Sequence, residues 1–153
     1  LGLDDWTEED ELLVRDLQQS MYDLEIDHVP LLRHLAEGVT AAEVLHEAGI
    51  IYATEPDLGL IDSWIERWLE RTSGSPNLAV MQRTVPAFTP RNWELQLAID
   101  DAERGDWAKA EALAERLMRP FERLDGDEDA WWSGPRPDWA LSRPGCSMLS
   151  CSS

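Results

Sequence analysis

The chain has 153 residues, and its 31 Asp and Glu against 13 Lys and Arg give a formal net charge of −18 at pH 7. So acidic a chain repels the phosphates of nucleic acids and the surface of anionic membranes, which excludes both as partners. Hydrophobic residues make up 43%, enough for a core. No run approaches the ~18 apolar residues that a membrane span requires.

The two ends of the chain carry further information. The start, Leu1-Gly2-Leu3, has no initiator Met and no signal core, so we interpret it as a cut end of a longer protein. The two cysteines, Cys146 and Cys151, both fall within the last eight residues. A secreted disulfide scaffold would spread its cysteines along the chain, so we expect a reducing compartment, the cytoplasm.

Helix signals follow one another along the first half of the chain. Thr7 precedes a run of acidic residues and an apolar three- and four-residue repeat, which predicts a helix over 7–22. Asp27 is a candidate cap for a short second helix. Thr40 and Glu43 form a capping-box pattern for a third helix, which ends at Gly49.

The strongest pattern lies over 58–72, where Trp64 and Trp68 share one apolar face at a spacing of four. A short helix then opens at Ser75-Pro76, and two more helices are predicted over 91–104 and 107–118. Asp106 is the candidate cap of the last one. The apolar set of the first of these two helices is Trp93, Leu97, Ala98, Ile99 and Ala102, and the inward positions of the last are predicted to be Trp107, Ala110, Leu113, Ala114 and Leu117.

The fold class that these signals predict is all-α. We expect an irregular bundle of six or seven short helices over residues 1–120, followed by an extended, Pro- and Gly-containing C-terminal tail over 121–153.

Motifs for nucleotide chemistry are missing from this sequence. Its nine glycines never form a phosphate-binding loop, and Lys109, the only lysine, is predicted on the exposed side of a helix. Asp100 and Asp101 are neighbours, but adjacent helical residues diverge by about 100°, so they should not share a proton. We therefore predict no catalytic residue and no cofactor site in this segment.

Metal sites are weakly indicated. His28, His34 and His46 have spacings that do not place them on one helical face. The run Asp125–Asp129 resembles the start of a calcium loop, but Ala130 and Arg136 occupy positions where such a loop needs Gly and Glu. We predict surface histidines, a solvated acidic loop and no metal site.

The terminal cysteines leave several possibilities open. Cys151 lies three residues from the C-terminal end of the sequence, where a thiol is poorly placed for packing. It could belong to an inert tail, bond Cys146 in a small loop, or bond a distant cysteine. On the chain-entropy model a loop of a hundred residues stabilises by roughly 5 kcal/mol, against about 2 kcal/mol for the small loop.

From Met81 onward the order of residues resembles the C-terminal region of the selenoprotein O family, in a cysteine-containing, bacterial-type form. The resemblance is carried by the stretch Met81–Asn92, by Ala98-Ile99 with Gly105-Asp106, by Leu117–Phe121, by Arg136–Trp139 and by the terminal Ser150-Cys151-Ser152-Ser153. Val85 departs from the pattern, because the family more often has Asn there.

Members of that family are pseudokinase-fold adenylyltransferases that transfer AMP from ATP to Ser, Thr and Tyr hydroxyls of proteins. The resemblance implies that ATP and Mg²⁺ bind in a kinase-like domain absent from this chain, which would be its C-terminal accessory domain. It also implies that Cys151 is redox-active and bonds a cysteine of the kinase-like domain, with Cys146 a less favoured candidate. The expected partners are that domain and the protein substrates.

Two other readings come from different classes of protein. Ala102–Leu117, with Gly105-Asp106-Trp107 at the corner, looks like a tetratricopeptide helix–turn–helix, which would make the chain an interaction module; no second copy follows at a 34-residue period. A thiol oxidoreductase is the other, but Cys146 and Cys151 form C-x₄-C rather than C-x-x-C.

Overall fold

The computed structural model describes residues 1–123 and 136–146. Their regular structure is helical, which confirms the predicted all-α class. The α-helices are α1 (Glu8–Asp23), α2 (His28–Ala36), α3 (Ala42–Glu47), α4 (Gly59–Arg71), α5 (Leu78–Thr84), α6 (Asn92–Glu103) and α7 (Ala108–Leu117), followed by a 3₁₀ helix, Asp138–Leu141. No helix among these residues is both long enough and apolar enough to cross a membrane.

The chain divides into two compact units, Leu1–Pro86 and Ala87–Ser153. In the first unit α1 and α3 pack on α4, and α2 packs on α5. In the second unit α6 and α7 form an antiparallel hairpin. The predicted division at residue 120 stays a prediction, since residues 124–135 and 147–153 lie outside the described part.

The core of the first unit is built around the two tryptophans of α4. The Trp64 and Trp68 rings stack with centroids 5.8 Å apart and an interplanar angle of 14°. Both indole N–H groups donate to backbone carbonyls, that of Trp64 to Leu13 at 2.7 Å and that of Trp68 to Leu1 at 2.8 Å. A buried indole N–H requires such an acceptor, so the stripe predicted from sequence fixes α1 against α4.

Helix ends follow the sequence signals in part. Thr7 and Asp10 form a capping box at the start of α1, and the Asp106 carboxylate accepts from the Ala108 N–H at 3.0 Å. The predicted capping box of α3 is wrong, because Ala41 is the N-cap and makes no side-chain cap. Asp62 of α4 replaces it by accepting from the Ala42 N–H at 3.1 Å.

A nearly fully buried carboxylate joins the first unit's helices. Arg71 Nε lies 2.8 Å from Asp10 Oδ1, and Arg71 Nη2 also lies 2.9 Å from Asp5 Oδ1. Hydrogen bonds from Arg71, with those from Thr7, lower the pKa of Asp10 to about 2 against the opposing effect of burial. The charged form of Asp10 is therefore the one that the folded state prefers.

The inward positions predicted for the last two helices were partly wrong. Ile99, Trp107, Ala114 and Leu117 are exposed. Leu113 is buried as expected, but its buried neighbour on α7 is Arg116 rather than Leu117.

Replacing Trp64 by Ala should lower the free energy of unfolding by about 3–5 kcal/mol, since it deletes a fully buried ring and leaves the Leu13 carbonyl without this donor. Urea unfolding followed by circular dichroism measures the loss. Trp6→Ala is the matched control, because Trp6 is exposed and its replacement should stay within about 0.5 kcal/mol. Equal effects of the two substitutions would contradict the assigned core.

Stability should fall as the pH is lowered from about 4 towards 2. In the folded state Asp10 keeps its charge until the pH approaches its pKa of about 2, whereas the unfolded chain takes up a proton near the ordinary pKa of about 3.9, so protonation favours unfolding. Asp10→Asn should flatten this dependence in unfolding curves recorded at each pH. Asp16→Asn, which removes an exposed ion pair with Arg67, should leave it in place.

Candidate functional site

The site that the sequence predicts lies at the C-terminal end, and the structure describes one of its two cysteines. Cys146 is a free cysteine and is buried. Cys151 lies outside the described residues, so its role stays a prediction. The acidic run Asp125–Asp129 also lies outside them.

Residues 136–146 pack on α6 of the second unit. Cys146 and Ala140 are buried against Trp93, with Leu97 packed beside them. The Trp139 ring meets the Trp93 ring edge-on, with centroids 6.3 Å apart and an interplanar angle of 90°. This part of the predicted extended tail is thus a short 3₁₀ helix and turn with its own small core.

An ion pair fixes the turn that carries Cys146. Arg143 Nη2 contacts Asp100 Oδ2 on α6, and the Arg143 guanidinium lies 5.7 Å from the Trp139 ring centroid. Gln96 donates to the other oxygen of Asp100 at 2.9 Å. Hydrogen bonds from Gln96 and Arg143 hold the pKa of Asp100 below its usual value, so the pair stays charged near neutral pH. We call residues 136–146 with these contacts the α6 clip.

Gly145 completes the turn. Its φ is +83°, in the left-handed region that side chains rarely adopt, and a Cβ at this position would lie 2.6 Å from Gln96 Oε1. The backbone N–H of Cys146 donates to the Arg143 carbonyl at 3.1 Å. A glycine here lets the chain turn tightly enough to bring the Cys146 side chain back onto Trp93.

The paired carboxylates behave as the helical geometry predicts. Asp100 binds Gln96 and Arg143, whereas Asp101 binds Arg104 and also Lys109, whose Nζ lies 2.5 Å from Asp101 Oδ2. The hydrogen bond from Lys109 is the main cause of the lowered pKa of Asp101. The two acids therefore serve separate contacts and do not act as a proton-sharing pair.

The histidines lie on two helices, His28 and His34 on α2 and His46 on α3. His28 begins α2, His46 lies near the end of α3, and the Nδ1 atom of His34 lies 2.7 Å from the Pro30 carbonyl in its own helix. Within residues 1–123 and 136–146, no group of three or more His, Cys, Asp or Glu side chains is arranged to hold a metal ion.

Comparison with known proteins identifies the family. No family model matches the chain. It is 36% identical over 167 aligned residues to the protein nucleotidyltransferase YdiU of Xanthomonas campestris pv. campestris (strain B100), 33% over 165 to that of Aromatoleum aromaticum, and 30% over 174 to that of Methylobacillus flagellatus. The first two alignments include 100% of the chain and the third 99%. The chain belongs to the selenoprotein O family.

This result confirms the resemblance stated from sequence and extends it. The alignments include residues 1–80, where no sequence motif carried the resemblance. The chain covers the C-terminal region of the selenoprotein O family and spans about a third of the length of the relatives it matches, 31% in each of these three.

Sequence reasoning missed the residues that hold the α6 clip. Arg136–Trp139 entered only as one block of the family resemblance, and Arg143 was not singled out. The signal that could have found them is the combination of Trp139 with an arginine four residues later, which suits an aromatic–guanidinium contact.

Removing Arg143 should expose the Cys146 thiol. In a Cys151→Ser background Cys146 is the only cysteine, so its reaction with a thiol reagent can be followed directly. Arg143→Ala should speed that reaction by roughly tenfold, the scale expected from losing one charge-assisted hydrogen bond that opposes local opening. Arg104→Ala, which removes an exposed partner of Asp101, is the control and should leave the rate unchanged. An unaltered rate in Arg143→Ala would show that the clip does not shield the thiol.

Proposed function

We propose that this chain is the C-terminal, regulatory helical region of a protein adenylyltransferase, which transfers AMP from ATP to Ser, Thr and Tyr hydroxyls of other proteins. The observation that carries the proposal is the match of the whole chain to proteins named protein nucleotidyltransferase. The chain spans 31% of those proteins, so the transfer chemistry is assigned to the remaining length.

ATP and Mg²⁺ are placed in that remaining length, in a kinase-like domain. The sequence supports this division, because it has neither a glycine-rich phosphate loop nor more than one lysine. The described residues do not fit a magnesium site either, since they bring no three suitable ligands together. No step of AMP transfer is therefore assigned to a residue of this chain.

The regulatory part of the proposal concerns Cys151. A disulfide between Cys151 and a cysteine of the kinase-like domain would restrain that domain while oxidised and release it when reduced. Its formation oxidises the two thiols by two electrons with loss of two protons; a small-molecule disulfide is the oxidant and is reduced to two thiols, so the occupancy of the bond follows the redox poise of the compartment. The α6 clip supports this assignment because it buries Cys146, which leaves Cys151 as the better candidate of the two.

The tetratricopeptide-like alternative is favoured by one observation, the hairpin of α6 and α7 with Gly105 at its turn. The helix pairing of the first unit counts against it. A repeat array packs each helix mainly on its neighbours in sequence, whereas here α1 packs on α4 and α2 on α5. An irregular helical domain of a larger enzyme accounts better for this pairing.

The experiment uses the full-length protein that contains this chain. Oxidation of the wild type should produce one disulfide that includes Cys151, seen as a mass two hydrogens lower and as loss of one alkylatable thiol on Cys151. AMP transfer to a protein substrate should be slower in the oxidised than in the reduced form. Cys151→Ser should abolish both the disulfide and the redox dependence, whereas Cys146→Ser should keep both.

Two results would overturn different parts of the proposal. If Cys151 stays fully alkylatable after oxidation, the regulatory disulfide is wrong while the enzyme assignment stands. If the full-length protein transfers no nucleotide to any protein hydroxyl, or if this chain alone does so, the division of labour between the two regions is wrong.

A further inference from the structure

The described part of the second unit has many large apolar side chains that are exposed. In its described part the buried hydrophobic clusters have three residues each, Phe88, Ala98 and Leu113 in one and Trp93, Ala140 and Cys146 in the other. The large hydrophobic side chains exposed there are Leu95, Ile99, Trp107, Leu117, Met118, Phe121, Trp139 and Leu141. Exposed apolar patches of this kind mark the surfaces at which a small unit gains additional burial.

Three of these exposed side chains lie within five consecutive residues at the end of α7. Leu117, Met118 and Phe121 are 44%, 83% and 52% exposed. The chain keeps turning after the helix, with the Arg119 N–H donating to the Arg116 carbonyl at 3.1 Å and the Glu122 N–H to the Arg119 carbonyl at 3.2 Å. Leu117 precedes Phe121 by four residues and Met118 precedes it by three, and we call these three exposed side chains the α7 end patch.

Hydrogen bonds to buried groups fix the backbone turn that carries the α7 end patch. The buried Arg116 guanidinium donates to the carbonyls of Arg119 and Glu122, each at 2.6 Å, and lies 5.3 Å from the Phe88 ring centroid. The Phe88 N–H donates to the Pro120 carbonyl at 3.0 Å, which ties the same turn to the small core. A surface ordered in advance loses little conformational entropy on docking, which favours a specific contact.

The length of the relatives and the charge of the chain indicate what covers the patch. All of the chain aligns with relatives of which it spans 31%, so about two thirds of their length lies elsewhere. A second copy is disfavoured, because it would bring together two chains that each carry a net charge of −18. Within the chain the acidity is concentrated in residues 1–86, with eighteen acidic and five basic residues, against thirteen and eight in residues 87–153. The second unit is thus the one that can approach another acidic or neutral domain at lower cost.

We propose that the α7 end patch is the surface on which this region docks onto the part of the same protein that lies outside this chain. The proposal rests on the proposed function in one respect, namely that a further domain is joined to this one. It assigns the contact to named side chains, and these are distinct from Cys151 and from the α6 clip.

Oxidation of methionine by hydrogen peroxide, read by peptide mass spectrometry, tests this in the full-length protein. Met118 is 83% exposed in the chain described here, whereas Met81 is 1% exposed and serves as the internal standard for a buried residue. We expect native full-length protein to form the sulfoxide of Met118 at least tenfold more slowly than the urea-unfolded protein, as for Met81. Equal rates for Met118 in the native and unfolded protein would overturn the proposal.

A pair of variants locates the protection. Leu117→Asp, within the patch, should restore rapid oxidation of Met118 in full-length protein, because a charge cannot be buried in an apolar contact without a partner. Leu12→Asp replaces a leucine on α1 of the first unit that is 55% exposed, against 44% for Leu117, and should leave Met118 protected. Unchanged protection in Leu117→Asp would place the covering contact elsewhere.

Concentration and activity separate the remaining outcomes. Protection of Met118 that disappears on dilution, together with a dimer in light scattering, would make a second copy the occupant and overturn the proposal. AMP transfer is assayed on the same preparation: protected Met118 without transfer leaves the docking surface standing and rejects the proposed function. AMP transfer by a protein whose Met118 is unprotected supports the proposed function and rejects the docking surface.

Discussion

The first unit depends on the burial of two indole rings on one face of α4. Removing Trp64 and Trp68 from water is favourable only because each N–H finds a backbone carbonyl, one in α1 and one in the segment before it. Arg71, one turn further along α4, then reaches the buried carboxylate of Asp10. Helix α4 thereby positions both α1 and the segment before it. It also positions α3, because Asp62 of α4 accepts a hydrogen bond from the Ala42 N–H at the start of α3. The remaining helices of the unit pack around this arrangement.

The second unit uses the same kind of contact on a smaller scale. Trp93 of α6 plays the organising role there, with Trp139 edge-on and Cys146 against it, and the Asp100–Arg143 pair closes the turn. The unit nevertheless buries few side chains in its described part, and its exposed apolar residues exceed those that its own helices cover. This difference between the units matches an assignment in which one half of the chain is a self-contained scaffold and the other half is an attachment surface.

The sequence predicted the structure best where a residue type favours one particular local structure. Periodic tryptophans predicted the face of α4, and glycines and prolines predicted where helices end. It failed where a polar side chain finds a partner far along the chain. Arg116 is buried in place of Leu117 because its guanidinium reaches two carbonyls beyond the helix, and Asp62 caps α3 from another helix, which made the Thr40 signal redundant. For the candidate site, the family resemblance pointed to Cys151. The turn that carries Cys146 is instead fixed by the ion pair of Asp100 and Arg143, which are 43 residues apart, and no local sequence pattern encodes such a contact.

The anchoring of Gly145 and Cys146 sets a limit on where a terminal thiol can go. Cys151 lies five positions after Cys146, and a fully extended chain advances at most about 3.6 Å per residue, so the two Cα atoms are at most ~18 Å apart however that stretch folds. A disulfide adds at most about 7 Å between Cα atoms. A bonding partner must therefore lie within roughly 25 Å of Cys146. Inside that radius, the short linker gives the Cys151 thiol an effective concentration in the millimolar range. This is high enough for Cys151 to compete with small-molecule thiols for the sulfur of the partner cysteine.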